Sequence, residues 1–202
     1  MSTQPRPRRF AVRQRITMLV NRYEIRELDD AGNEGALLAF AQQKRFAFKE
    51  QVTFYADEAK TQPVFSFRAR QRIDLAATYD ITDAQGQALG WFRKDFAKSL
   101  LRSTWHLGTA DGLESTGTER NQGVALARRL FEILPVLDEL PIPWVYHFDF
   151  TANDGTPVLG VERKISVRDR YVVELPTAAN GWQLDWRCAA AMAVALDALQ
   201  AR

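Results

Sequence analysis

The stretch from Trp186 to Leu199, WRCAAAMAVALDAL, limits what this chain can fold into more than any other part of it. Ala, Leu and Met are strong helix formers and neither Gly nor Pro interrupts them, so the composition predicts a helix. Asp185 stands at the N-cap position, where its carboxylate can take an orphan amide of the first turn and face the positive end of the helix dipole. From Cys188 to Leu196 every residue is apolar, so no orientation on a surface gives this helix a wet side. A helix of that kind is buried all round or lies in a membrane. At 1.5 Å per residue the run reaches about 21 Å, short of the roughly 20 apolar residues a bilayer crossing needs, and no transmembrane segment is expected. Arg187 and Asp197 leave open a helix resting on one sheet. A run of alanines suits a helix approached by strands from every side, and the expectation is a barrel threaded by its own C-terminal helix.

The chain has the means to build one. Its 202 residues are 46% hydrophobic, enough for a sizeable single core. Residues 9–202 are read as one domain, and residues 1–8, polar and carrying Pro5 and Pro7, as a disordered basic arm. The net charge of +2 is unevenly placed. Six arginines and no acid precede Glu24, which leaves 21 Lys and Arg against 25 Asp and Glu in the remainder. The single cysteine, Cys188, cannot form an internal disulfide and is read as a small core residue. No apolar h-region follows the N-terminal arginines beyond Ile16 to Val20, so a signal peptide is not expected and a cytoplasmic location is.

Between the arm and the helix one unit recurs. FAVRQR from Phe10 alternates apolar and polar residues, and a second strand runs through Tyr23, Ile25 and Leu28 to the turn DDAGN. Strands follow at Leu37 onward and VTFY (Val52–Tyr55), then PVFSFRARQR from Pro63 and the residues Ala77, Tyr79 and Ile81, then ALGWFRKD from Ala88 and SLLRSTWHL from Ser99. Turns opening at Asp29, Asp57, Asp83 and Asp111 are spaced by 28, 26 and 28 residues. A fixed period of this length marks a repeated supersecondary unit, here strand, basic kink, strand, Asp/Gly turn. The basic centres Gln14–Arg15, Gln43–Arg45, Gln71–Arg72, Arg93–Lys94 and Arg163–Lys164 suit exposed strand ends or bends.

Thr118 to Leu140 breaks the period. Val124, Ala127, Leu130, Phe131 and Leu134 fall on one helical face with Arg128, Arg129 and Glu132 opposite, which predicts an amphipathic helix outside the barrel or across one end. Strand patterns resume at VYHFDF (Val145–Phe150), VLGVERKISV (Val158–Val167) and YVVEL (Tyr171–Leu175). The fold class reached is mostly β: a closed antiparallel barrel of ten to twelve strands around a central hydrophobic helix, with one extra amphipathic helix.

The units YEIRELDDAGNEGALLAFAQQKRFAF and YDITDAQGQALGWFRKDF, followed by the terminal D-W-x-x-x-x-A-M-A-V-A-L-D helix, resemble the LURP-one-related family of the Tubby C-terminal-like superfamily, which includes the phospholipid scramblases. The resemblance covers roughly residues 9 to 200. It implies a barrel of about twelve strands around a central helix. For function it implies headgroup recognition, since Tubby relatives bind phosphoinositides through exposed basic residues. Scramblase activity does not carry over: scramblases have an acid-rich segment before the terminal helix, whereas AANGWQLDW here offers one carboxylate, Asp185. Calcium wants six to eight oxygen ligands, so no metal is expected.

No catalytic residues are assigned. His106 and His147 lie in predicted strands, and no Gly-x-Ser-x-Gly, His-x-x-x-His or Cys pair accompanies them. No Gly-rich loop opens a helix, and no cofactor is expected. The partner signal is the basic N-terminal region, where Arg8, Arg9, Arg13 and Arg15 are the candidates for binding an anionic phospholipid headgroup. An ordinary solubilising terminus is the plain alternative. Phe10 is the one early aromatic in this region, so stacking on bases is not suggested and no nucleic acid is expected. The reading is a non-enzymatic domain, peripheral to a membrane through phospholipid headgroups, with a protein-interaction or regulatory scaffold as the competing class.

Overall fold

The computed structural model describes residues 7–16, 20–44, 51–71, 77–95, 103–120, 147–164 and 170–200. Twelve strands occur among them: β1 (Arg9–Ile16), β2 (Val20–Leu28), β3 (Glu34–Lys44), β4 (Gln51–Tyr55), β5 (Pro63–Ala69), β6 (Thr78–Asp83), β7 (Ala88–Lys94), β8 (Thr104–Thr109), β9 (Glu114–Glu119), β10 (His147–Ala152), β11 (Pro157–Lys164) and β12 (Arg170–Glu174). Each pairs with its neighbours in sequence, and β1 closes the circle on β12 with Phe10 opposite Val173. All pairings are antiparallel, so odd strands run one way and even strands the other. The expected closed barrel is what the chain forms, with one helix, α1 (Trp186–Gln200), among the described residues.

One element departs from the expectation. Thr118 and Glu119 belong to β9 rather than to the start of a helix, and Arg120 follows as part of the turn out of the strand. Pairing decides this: Thr118 lies between Thr104 of β8 and Asp149 of β10. The remainder of the predicted amphipathic helix lies outside the described residues.

Strand periodicity sorts the side chains. In β5, Phe65 and Phe67 point inward while Ser66 and Arg68 point out, and Tyr79 and Ile81 of β6 and Phe92 of β7 do the same beside them. The inward rings stack and tilt against one another: Phe54 on Phe65 at 4.2 Å, Tyr79 on Phe92 at 4.9 Å, Phe67 edge-on to Phe92 at 5.2 Å. Such offset and edge contacts add to the area they bury. Down the middle runs α1, in which every residue from Cys188 to Ala195 has 0% exposure. Alanine allows the strands to come that close. Gly90 of β7 allows it from the other side, since a Cβ there would lie 3.4 Å from Cys188 Sγ and closer still to the Gly108 carbonyl oxygen. Gly117 is the converse case: the Phe150 ring occupies the space its side chain would take.

Both ends of α1 are fastened. At the first turn Asp185 is the N-cap, accepting the Arg187 amide at 2.9 Å, and its carboxylate also holds the Arg187 guanidinium at 2.6 Å. At the last turn Asp197 faces the negative end of the helix dipole, an unfavourable place for an acid. Two buried phenols compensate: Tyr23 donates to it at 3.0 Å and Tyr171 at 2.6 Å, with the Gln14 amide donating to the Tyr23 oxygen at 3.1 Å. The helix is thereby tied to β1, β2 and β12.

The repeated turns share one construction. The amides of Gly32, Gly86, Gly112 and Gly155 donate to the carbonyl three residues earlier, and each of these residues has positive φ. That is a three-residue hairpin loop with a left-handed bulge residue. Lys60 takes this place in the β4–β5 turn with φ 61°. In the β8–β9 turn the opening residue is Thr109, not Asp111: the Thr109 amide bonds to the Leu113 carbonyl, and Asp111 accepts from the Thr109 hydroxyl within the loop.

Two outcomes follow from the wrapped helix. Burial pushes the Cys188 thiol well above its usual range, so native protein is expected to resist thiol reagents at mildly alkaline pH, with labelling only at the rate of global unfolding. Ala191→Leu inserts three carbons where strands already touch, and is expected to cost about 1–3 kcal/mol in urea unfolding; unchanged stability would show room beside the helix.

Candidate functional site

Because odd strands run alike, their C-terminal ends share one rim, and every one of them ends on or beside a basic residue. Arg15 stands at the end of β1, Lys44 of β3, Arg70 just past β5, Lys94 of β7, Arg120 just past β9 and Lys164 of β11. Arg15, Lys44, Lys94 and Lys164 come from the sequence's basic centres, while Arg70 and Arg120 do not; the six positions lie around the rim at the C-terminal end of α1. At the opposite rim, the β4–β5, β6–β7, β8–β9 and β10–β11 turns carry Asp57, Asp83, Asp111 and Asp154 around the helix N-terminus. Charge and dipole complement each other at both ends.

The two rims differ in how their charges are held. Asp57 and Asp83 cap their own turns, accepting backbone amides of Thr61 and Gln87 at 3.1 and 2.8 Å. Asp111 is held below the usual carboxylate range, first by the Thr109 hydroxyl and then by the Trp182 indole at 3.1 Å, which fastens the loop before α1 to the β8–β9 turn. On the basic rim Arg70 grips Asp80 bidentately at 2.7–3.0 Å, Arg120 lies 2.6 Å from Asp149, and Lys164 lies 2.6 Å from Glu162.

The four arginines singled out from the sequence do not converge on one point. All but Arg8 project outward from β1, whose start lies at the acidic rim and whose end lies at the basic one; Arg9 and Arg15 are separated by about 20 Å of strand. The backbone carbonyl of Arg8 accepts the Leu175 amide, and that of Pro7 accepts from the Gln183 side chain. Arg9 faces Glu174 at 3.3 Å, Arg13 meets Glu34 at 2.8 Å and Arg15 meets Glu24 at 3.3 Å. The sequence showed an acid-free segment; strand pairing then set acids from β2, β3 and β12 beside it.

A less neutralised face lies on the outside of β5, β6 and β7. Cross-strand pairing puts Arg68 beside Asp80 and Asp80 beside Trp91, with Arg93 opposite Thr78 in the next row. Asp80 is already committed to Arg70, and Arg68 is exposed with no carboxylate partner among the described residues. Arg68, Arg70, Gln51, Ser66 and Thr82 line a shallow groove of about 620 Å³, with the Ser66 and Thr82 hydroxyls 3.2 Å apart. Beside it the Trp91 indole lies against Gly108, where a Cβ would come within 2.4 Å of the ring. The Arg93 guanidinium sits over that indole at 5.6 Å. The alternation of FSFRARQR signalled outward arginines; the pairing with β7 that adds Trp91 and Arg93 was not readable from spacing.

The two histidines are outward strand residues. His106 Nε2 lies 3.1 Å from Asp95 and its Nδ1 3.3 Å from the Thr116 hydroxyl, while His147 lies 3.7 Å from Glu162. No group of His, Cys, Asp and Glu that could hold a metal ion occurs among the described residues, and no described helix is long and apolar enough to cross a membrane.

The family model for LURP-one-related proteins matches residues 38–197, from within β3 to the last turn of α1. No curated protein and no solved structure matches the chain. The matched region takes in ten of the barrel's strands in whole or part and the helix that they enclose, and the chain belongs to the LURP-one-related family.

Proposed function

We propose that the barrel is a non-catalytic binding module that approaches surfaces bearing anionic phospholipid headgroups with its basic rim, using Arg68, Arg70, Arg93 and Trp91 as the contact face. The observation that carries the reading is the ring of basic residues at the ends of all six odd strands, facing away from the aspartate turns. Such an arrangement orients the molecule before contact, because an anionic leaflet attracts one rim and repels the other. Arg68 and Arg93 meet the leaflet without first giving up a carboxylate. A flat indole next to them suits the headgroup level, where tryptophan is at home. Arg13 and Arg15 are on β1, across the barrel from β7, and are held by acids, whereas Arg8 and Arg9 lie toward the other rim.

The same Trp91–Arg93 pair is the residue combination of protein interaction hot spots, so a protein-interaction scaffold is the second reading. Sedimentation with phosphatidylcholine vesicles, with and without phosphatidylserine, separates the two. Wild type is expected to pellet only with the acidic vesicles and to be released by salt. At about 1 kcal/mol per arginine, the R68A/R93A double variant should bind about 30-fold more weakly. Indifference to phosphatidylserine, or to both substitutions, would sink the headgroup reading. Gly108→Ala checks the indole's part: the ring has to lift from the strand, so acrylamide quenching of tryptophan emission is expected to rise and binding to fall while the barrel stays folded.

A further inference from the structure

Arg13 of β1 and Arg170 of β12 are directly opposite each other in the ladder, both pointing outward. Like charges in that position repel, and the fold answers with an anion. Two register shifts in the β2–β3 pairing, at Ile25/Arg26 and Arg26/Leu28, bend the hairpin end back over the outside of β1 and β12. That places Glu34 between the guanidiniums, one of its oxygens 2.8 Å from Arg13 Nε and 3.2 Å from Arg170 Nε, and the carboxylate is only 13% exposed. Arg170 also donates to the Gly32 carbonyl at 3.3 Å, and Arg9 reaches the Asp30 carbonyl at 3.4 Å from the neighbouring position. Beneath them Ala11, Leu28 and Val172 form a small apolar floor outside the barrel proper. An apolar floor lowers the local dielectric and strengthens each charge pair above it.

The fit of Glu34 is imperfect. Arg170 Nε is buried and makes no hydrogen bond of good geometry despite the nearby carboxylate, and the same holds for Arg9 Nε, 3.3 Å from Glu174. A buried charged donor left short of its partner is costly. A tetrahedral phosphate offers more acceptor oxygens in more directions than one carboxylate can, and guanidinium forks match it well.

We propose that Arg13 and Arg170 form an anion-binding site for a phosphate-bearing ligand, and that Glu34 is its tethered competitor. Rotation of the Glu34 side chain into solvent frees two guanidiniums on a prebuilt floor without moving the turn, and an incoming phosphate takes the carboxylate's place. The site is distinct from the β5–β7 face and shares with the headgroup reading only the chemistry of its ligand, so either can fail alone.

Glu34→Gln removes the competing charge at nearly constant shape, and Glu34→Asp keeps the charge but shortens its reach. Two probes separate the sources of phosphate: inorganic phosphate, titrated by NMR on the full chain, and vesicles containing phosphatidylserine, by sedimentation. Glu34→Gln is expected to bind at least one probe about 30-fold more tightly than wild type, with Glu34→Asp in between. Adding Arg13→Gln and Arg170→Gln to the Glu34→Gln chain should abolish the gain. A gain toward vesicles alone assigns the ligand to a lipid headgroup, and a gain toward inorganic phosphate assigns it to a free phosphate. No gain toward either probe, in Glu34 variants that retain cooperative thermal unfolding, overturns the site. If Glu34→Gln does not fold, the same comparison on Glu34→Asp decides.

Discussion

A helix without a polar side is the constraint on which the rest depends. Burying Cys188 to Ala195 completely requires strands on all flanks, and strands on all flanks means a closed sheet with no free edges. Closure in turn fixes what the strands must look like. Their inward residues have to fill the space between sheet and helix, which the rings of Phe54, Phe65, Phe67, Tyr79 and Phe92 do around a helix that is mostly alanine from Ala189 to Ala195, with Phe65 edge-on to Trp186 at its start. Large residues on the wall and small ones on the axle are one solution to one packing problem.

The same geometry explains the distribution of charge. Twelve antiparallel strands in sequence order put the turns among the described residues at one rim, with the β2–β3 hairpin bent away from it, and all odd-strand ends at the other. Turn chemistry favours Asp, which caps its own loop, so the turn rim becomes acidic. Basic residues at the opposite strand ends face the carbonyl end of the helix. A polarity that could pass for a binding adaptation is therefore partly a consequence of folding, and its use in binding rests on the residues that folding leaves uncommitted. Arg68 and Arg93 are in that position; Arg9, Arg13 and Arg15 are not.

Much of the fold was legible because its signals are local. An apolar run of alanines, alternation in FSFRA and a turn residue that takes positive φ at a steady spacing each speak for themselves. β9 was illegible for a physical reason. Its inward positions are Ser115, Gly117 and Glu119, none of them a large apolar side chain. Ser115 spends its hydroxyl on the Leu107 carbonyl, and Gly117 yields its space to Phe150, a residue 33 positions on. A strand whose core contribution is supplied by its neighbour leaves no periodic trace in its own sequence. The candidate site failed to declare itself in the same way: an acid-free segment reads as a basic surface until pairing shows which carboxylates stand opposite.

Filling the barrel with a helix also restricts where the proposed binding can occur. In an eight-stranded barrel the lumen can hold a small ligand, but here α1 occupies the axis and its ends are tied, by Asp185 at one rim and by Asp197 with Tyr23 and Tyr171 at the other. Displacing it would expose the core that the wall and the helix share, so the interior is committed to stability. The outer faces carry no such commitment, and outward residues are free to vary without disturbing the core. In the headgroup reading proposed above, recognition is accordingly a matter of which outward cations keep an internal partner and which do not. That difference lies in single carboxylates such as Glu34 and Asp80, not in the barrel that displays them.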